Sequence, residues 1–357
     1  MSKSTTTLKK IAETAGVSIT TVHRVLNGKE GCGEELKERI LTIAKEQGYE
    51  VNYMAASLRK KPLHIALVFP KSDEYGRFFV QKILNGYFKF REEAESYHIL
   101  FQEYYYPAED TAQSSFYSIL NNIYQEKPFH YDGIIIYNQY LPVDAPFLAL
   151  MNRMIGKKIP VVIMEKCPDA SLYSCLVGPD EDLAGKLAAE LMSKYVHRSG
   201  TIALIGPQIP YPDMNVEAFS RELERRRKDL VCQIHSLPLL GRQRESLGNL
   251  LAGIPDLAGV YCTCARHTLA YLENAREQDF HTDCVIGSEL FEESCDALQS
   301  GTLDAVIDKK PFRIGFEALR LLFNHLVKNE PLPLNYPIYP KVILQTNSLL
   351  YLNSEEK

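Results

Sequence analysis

Ile19, Thr20 and Arg24 lie on one side of a short segment whose other side carries Val22, Val25 and Leu26. An arginine presents paired N–H donors that fit a guanine edge or a phosphate. A threonine hydroxyl can bond either kind of base, and an isoleucine can lie against a thymine methyl. The chemistry such a set can do is the reading of DNA base edges. A second candidate is Leu58, beside Arg59, at the end of the run Asn52 to Arg59, which contains the small residues Ala55 and Ala56. An apolar side chain so placed can wedge between base steps in a minor groove while small residues let a partner copy approach. The run by itself is too short for a stable helix and reads equally well as a linker.

Those side chains need a scaffold, and the local sequence supplies one. Thr7 can cap a helix with Leu8, Ile11, Ala12 and Ala15 at helical spacing, closed by Gly16. After Val17, Ser18 can cap a second helix that Asn27-Gly28 closes. A third helix is expected over Glu34 to Gln47, with Leu36, Ile40, Ile43 and Ala44 as its apolar stripe and Gly48 as its stop. Helix, short glycine turn, helix is the helix-turn-helix arrangement, in which the second helix enters the major groove. A plain three-helix bundle with exposed polar residues fits the same spacing. Charge bears on the choice: residues 1–61 hold 11 Lys and Arg against 7 Asp and Glu, whereas the whole chain has a net charge of −5. A basic module on an acidic body suits a polyanionic partner for the module.

The run from Leu8 to Ser18, then Thr21-Val22, Arg24 to Gly28, Glu34 to Tyr49 and Asn52 to Arg59 resembles, in register and without gaps, the headpiece and hinge helix of the LacI family of bacterial transcriptional regulators. That resemblance implies a helix-turn-helix, an operator of two inverted half-sites bound by a homodimer, and a hinge helix that drives Leu58 into the central base step. By position Ile19, Thr20 and Arg24 match the family's base readers, and Thr7, Ser18, Thr21 and Asn27 match its phosphate contacts; Asn52, Leu58 and Arg59 fall in the hinge. Two positions depart: His23 stands where a small hydroxyl residue is usual, and Cys32-Gly33 where a Ser or Thr cap is usual.

Beyond Lys60-Lys61-Pro62 the pattern changes. Apolar runs of strand length at His64–Pro70, Ile99–Tyr104, Gly133–Tyr137 and Pro160–Met164 alternate with helical stretches at Phe78–Tyr97, Ala108–Glu126 and before Lys157. After a helix over Asp182–Tyr195 the alternation resumes with strands at Thr201–Ile205, Leu230–Ser236, Gly259–Cys262 and Cys284–Gly287. Such βαβ alternation predicts two doubly wound α/β lobes with a ligand cleft at the carboxyl ends of their strands. This layout resembles the periplasmic-binding-protein-like type I effector domain of the same family, with Val177 to Asp180, Ala184-Gly185 and the Gly301 to Leu322 region fitting its pattern. Residues leading out of strands, Tyr75, Phe78, Asn138 and Glu289, are expected to grip the effector. The resemblance implies a carbohydrate or a derivative, although Asn215 stands where many members have Arg, Cys264 where Asn is frequent and Glu289 where Asp is usual. Losing the arginine fork weakens any assignment to one particular sugar. The domains expected are thus residues 1–51 for the headpiece, 52–62 for hinge and linker, and 63–357 for the two-lobed body.

Other classes fare worse. The chain shows no G-x-G-x-x-G after a strand, no phosphate-binding P-loop, no G-x-S-x-G elbow and no H-E-x-x-H pair; Gly28, Gly31 and Gly33 join helices rather than cradle phosphate. A non-enzyme without cofactor or metal is expected. The eight cysteines are scattered, and Cys262 with Cys264 lacks the further ligands of a zinc site, so reduced thiols in a cytoplasmic protein are expected. No apolar run approaches the ~20 residues that span a bilayer and no secretion signal precedes the headpiece, which counts against a membrane protein and against an exported solute-binding protein. Control by a protein corepressor instead of a small molecule stays open. Tyr104-Tyr105-Tyr106 and Arg225-Arg226-Arg227 read as a strand end and a solvated helix face.

Overall fold

The computed structural model describes residues 7–26, 31–49, 53–57, 61–71, 75–107, 114–126, 130–138, 145–167, 169–209, 211–238 and 243–352. Its first unit holds helices α1 (Leu8–Ala15), α2 (Ile19–Leu26) and α3 (Glu34–Glu46), packed on Ile11, Ala12, Ala15, Val22, Val25, Ile40 and Ala44. Gly16 ends α1 in the left-handed conformation, at φ 68°, where it costs no Cβ clash. A five-residue helix α4 (Tyr53–Ser57) follows, and Tyr53 rests on the core of the next unit.

Two six-stranded sheets make up the body. The first combines β1 (Leu63–Pro70), β2 (Ile99–Tyr106), β3 (Gly133–Asn138), β4 (Val161–Glu165), β5 (Cys175–Pro179) and β11 (Asn335–Ile338), in the order β11-β5-β4-β3-β1-β2, all parallel. The second combines β6 (Gly200–Pro207), β7 (Leu230–Leu237), β8 (Leu257–Cys262), β9 (Cys284–Ser288), β10 (Ala305–Asp308) and β12 (Lys341–Ile343), in the order β12-β10-β9-β8-β6-β7, with β12 antiparallel to β10. Their central strands are buried on both faces, which is why they read as unbroken Val/Ile/Leu runs. Helices α5 (Val80–Glu93) and α13 (Pro311–Lys328) cover one face of the first sheet, and α6 (Ser114–Gln125) and α7 (Ala145–Gly156) cover the other. On the second sheet, α8 (Glu181–Tyr195) and α9 (Met214–Arg226) lie opposite α10 (Gln243–Ala252), α11 (Ala265–Ala275) and α12 (Glu292–Ser300), with α14 (Gln345–Leu352) beside α12.

The chain passes between the lobes three times, after β5, after β10 and after β11. This positions the site, because the crossings bring strand ends of both sheets to one cleft. It also explains what sequence patterning missed. Strand β5 includes Gly178-Pro179, β10 is four residues long and β11 carries Pro337, so none of them shows a strand-length apolar run. The helix expected from Phe78 to Tyr97 is instead a 3-10 turn at Tyr75–Phe78 followed by α5, and the strand expected to stop at Tyr104 continues to Tyr106 in full register with β1. The helix expected from Ala108 is described only from Ser114.

Candidate functional site

In the first unit, the Thr7 side chain accepts from the Lys10 N–H at 3.4 Å. Ser18 Oγ accepts from the Thr21 N–H at 3.1 Å and lies 2.9 Å from Thr21 Oγ1. These caps satisfy N–H groups that a helix start leaves without partners. With Val22 and Val25 turned into the core, Ile19, Thr20, His23 and Arg24 are exposed on α2, Ile19 at 48%. The Arg24 guanidinium folds back over Gly31, where an added Cβ would lie 2.6 Å from Nη2. Helix α3 starts at Gly33 without a side-chain cap, as its departure from the family pattern implied.

Between the lobes, Lys309 leaves β10 and its Nζ donates to the Thr263 carbonyl at 3.0 Å, 3.4 Å from Glu181 Oε1 and 3.7 Å from Glu289 Oε1. Lys166, leaving β4 in the other lobe, lies 3.2 Å from the same Glu181 oxygen and 4.0 Å from Asp213 Oδ2. Asn215 Nδ2 donates to Glu181 Oε2 at 2.8 Å, and Tyr261 donates to Asn215 Oδ1 at 2.9 Å. Around them, Phe79, Glu165, Thr263, Cys264 and Glu289 line a cavity of about 50 Å³. That holds a few waters and is too small for a sugar ring. The lobes meet closely at its side: Arg77 Nη2 lies 2.8 Å from Glu293 Oε1, Lys82 Nζ donates to the Leu290 carbonyl at 2.7 Å, and the rings of Phe78 and Phe291 are 4.1 Å apart. Entry of a ligand of that size therefore requires the lobes to part.

Strain and charge concentrate here. Glu165 (φ 78°), Glu289 (φ 67°) and Lys310 (φ 54°) hold left-handed backbones, which a β-carbon disfavours and which persist where the surroundings over-determine them. Burial alone raises Glu181, but Lys166 and Lys309 outweigh it and hold the carboxyl at about 2. Burial raises Glu289 well above the usual carboxylate range, and it pushes Glu165 up to about 7 against the pull of Lys166. Glu165 Oε2, Glu289 Oε1 and Thr263 Oγ1 are buried without hydrogen-bond partners, so polar capacity is left for a ligand's hydroxyls. For Glu165 the folded pKa exceeds the unfolded one, so its contribution is present in full below about 4.5 and is lost as pH rises to about 7. Glu165→Gln should match the wild-type melting temperature at acid pH and gain on it steadily through that window. A gap that stays flat or changes sign would refute the assignment.

Two family profiles divide the chain where the structure does. That of the bacterial regulatory proteins of the lacI family matches residues 7–52, and that of the periplasmic binding protein domain matches residues 65–330. The chain belongs to the LacI family of bacterial regulators. Similar to it is the catabolite repressor/activator of Escherichia coli K12, 27% identical over 68% of each chain. The sucrose operon repressor of Klebsiella pneumoniae is 46% identical over 74 residues, 20% of this chain and 22% of that one. Among solved structures, the glucose-galactose binding protein GanP of Geobacillus stearothermophilus superposes with a TM-score of 0.65 at 22% identity, covering 81% of this chain and 99% of its own. That last likeness is one of fold.

Within this LacI-family body, the positions expected to grip an effector divide. Asn215, Cys264 and Glu289 do line one cavity. Phe78 does not: the 3-10 turn aims it at Ala265 and Phe291, and its neighbour Phe79 takes the place on the cavity wall. Asn215 is 1% exposed and already bonded to Glu181 and Tyr261, so it braces the cavity at least as much as it faces it. The side chains of Tyr75 and Asn138, and all of Asn27, Asn52, Leu58 and Arg59, lie outside the described residues. Sequence reading missed Phe79, Glu165, Lys166, Glu181, Asp213, Thr263 and Lys309. A usable signal existed for Glu165-Lys166 and Lys309, which are charged residues placed directly after apolar strand cores.

Proposed function

We infer that this protein is a sequence-specific DNA-binding regulator that works as a homodimer in the cytoplasm and answers to a small molecule, of the carbohydrate class, held between its lobes. The observation that carries the reading is one chain joining α2, with Ile19, Thr20 and Arg24 exposed, to a hinged two-lobed body with unsatisfied carboxylate oxygens in its cleft. The names of its relatives point the same way: one is a repressor/activator and one an operon repressor, and the fold neighbour is a glucose-galactose binding protein. A dimer is supported by the sheet edges. Strands β2 and β7 end their sheets and expose Leu100 (51%), Val231 (59%) and Ile234 (52%), an edge that a second copy would cover. Among the described residues no helix is long and apolar enough to cross a membrane. Cleft opening and closing would move the two first lobes against each other, and an effector shifts DNA binding by its difference in affinity for the two arrangements.

The test is selection of bound sequences from random duplex DNA by the full-length protein at near-physiological salt, where phosphate contacts alone bind weakly. An enriched inverted repeat is expected. On that sequence Arg24→Ala should cost about 1–3 kcal/mol of specific binding and relax the preference at one position in each half-site. Absence of any enriched repeat would refute the reading, and an equal loss on random DNA would reassign Arg24 to a phosphate.

A further inference from the structure

Glu165 ends β4 and Glu289 follows β9, and each of those strands is third from the same edge of its sheet, counted from β11 and from β12. The two lobes therefore bring equivalently placed carboxyls to the cleft from opposite sides, both on left-handed backbones. Glu289 is 1% exposed and Thr263 2%. Glu289 Oε2 accepts from the Lys309 N–H at 3.1 Å, while Oε1 lies 3.7 Å from Lys309 Nζ, too far for a hydrogen bond. Glu165 Oε2 and Thr263 Oγ1 are likewise buried without a hydrogen-bond partner. All three open oxygens belong to residues lining the one cavity of about 50 Å³. The lysines beside them are already committed: Lys309 Nζ, with three protons, sits among the Thr263 carbonyl and the Glu181 and Glu289 carboxyls, and Lys166 serves Glu181 and Asp213.

Charge points the same way as the open oxygens. Among the described residues four carboxyls line the cavity, those of Glu165, Glu181, Asp213 and Glu289, and three cations do, Lys166, Arg266 and Lys309. The formal surplus is one negative charge. Facing Glu165 are Lys166, Tyr137, Lys309 and Glu181; facing Glu289 are Lys309, Asp308 and Glu181, with Asp308 itself paired to Lys341 at 3.4 Å. Burial pushes Glu289 well above the usual carboxylate range, so at neutral pH a bound proton offsets the surplus, and a ligand's cation can take that proton's place. A primary ammonium matches the open atoms: it has three N–H donors, no acceptor and one positive charge, whereas a hydroxyl has a single proton to give. The Phe79 ring, 5.7 Å from Lys309 Nζ, adds an aromatic wall of the kind that suits a cation. We propose that the effector is of the amino-sugar class, and that its ammonium group is held between Glu165 of the first lobe and Glu289 of the second, with the Thr263 hydroxyl as third acceptor. One carboxyl from each lobe then grips one cation, so the ligand's charge ties the lobes together. This deepens the reading of a carbohydrate effector and rests on it.

Full-length protein is titrated at pH 6.5 with D-glucosamine, D-galactosamine and D-mannosamine and, in parallel, with D-glucose, D-galactose and D-mannose, by calorimetry and by melting temperature. At least one amino sugar should bind at least about tenfold tighter than its neutral counterpart, because a hydrogen bond to a charged partner is stronger than one between neutral groups. Its heat should change with the ionisation enthalpy of the buffer, since up to about one proton leaves as the ammonium arrives. Glu289→Gln, which keeps the shape and removes the charge, should erase the preference, and Glu165→Gln should reduce it; a cooperative melting transition shows that each variant is folded. A neutral sugar that binds as tightly as its amino form overturns the ammonium site and leaves the carbohydrate reading standing. Binding of none of the six overturns both, and leaves the DNA-binding reading to the selected repeat. A preference that survives in both variants overturns the assignment to Glu165 and Glu289.

Discussion

Lys309→Met should destabilise the protein by about 3 kcal/mol at neutral pH, near the lower end of what removal of one partner of a buried ion pair costs. Lys309 is 6% exposed and serves Glu181 and Glu289 together, with Glu289 itself 1% exposed. Methionine fills about the same volume but removes the cation that Glu181, which is ionised, shares with Glu289, whose carboxyl burial already holds well above the usual range. Lys166 still pairs with Glu181, which keeps the loss at the lower end of the range. For a body of this size the fall in Tm should be roughly 6–12 °C. The double variant Lys309→Met/Glu181→Gln should recover part of that fall, because the uncompensated charge on Glu181, rather than the lost methylene packing, carries the penalty. A single variant within 1 °C of wild type, or a double variant that is worse, would show that the network contributes little. A second consequence concerns pH. Glu181, held at about 2 by the two lysines, contributes stability that is complete above about 4.5 and is lost as pH falls toward 2; the variant should lose less over that window.

Gly315→Ala should be at least as damaging, at the upper end of the ~1–3 kcal/mol range for overpacking or beyond it. Helices α5 and α13 cross so closely that a Cβ on Gly315 would overlap the Ile83 carbonyl oxygen and lie 2.9 Å from the Tyr87 nitrogen. Gly86 faces the Phe312 backbone in the same way. Both obstacles are main chain, so no side-chain rotation relieves them, and the helices must separate. Helix propensity alone would favour alanine by up to ~1 kcal/mol, and the overlap outweighs it. Gly156, at the end of α7 with open space where its Cβ would sit, is the control, and Gly156→Ala should be neutral or slightly stabilising. Equal melting temperatures for the two variants would sink the claim. The consequence reaches the site, since α13 begins directly after Lys309-Lys310 and α5 directly after Phe79.

Much of this could be read from the chain because it depends on neighbours in sequence. The caps at Thr7 and Ser18, the left-handed Gly16 and the core face of α2 are interactions within a few residues, and the structure shows each of them. The buried central strands declared themselves as apolar runs for the same reason. The cleft did not. Glu165, Glu181, Asp213, Thr263 and Lys309 span 145 residues and meet because the chain crosses between lobes three times. Apart from the position of Glu165 and Lys309 at the ends of apolar strand cores, nothing local distinguishes them from solvated polar residues. Phe78 and Phe79 show how fine the difference is, since one residue of 3-10 turn decides which ring faces the cavity.

The sequence by itself determined the helix-turn-helix with Ile19, Thr20 and Arg24 on its outer face and the βαβ alternation of the two α/β lobes, since periodicity and capping are short-range and each residue's preference acts where it stands. Only the tertiary structure decided which charges share the cleft, that Asn215 is spoken for by Glu181 and Tyr261, and that His267 reaches the Pro238 carbonyl. Those facts depend on through-space distance and on burial, and a charge whose meaning changes from solvated to paired when water is removed carries no mark of that change in its own letter.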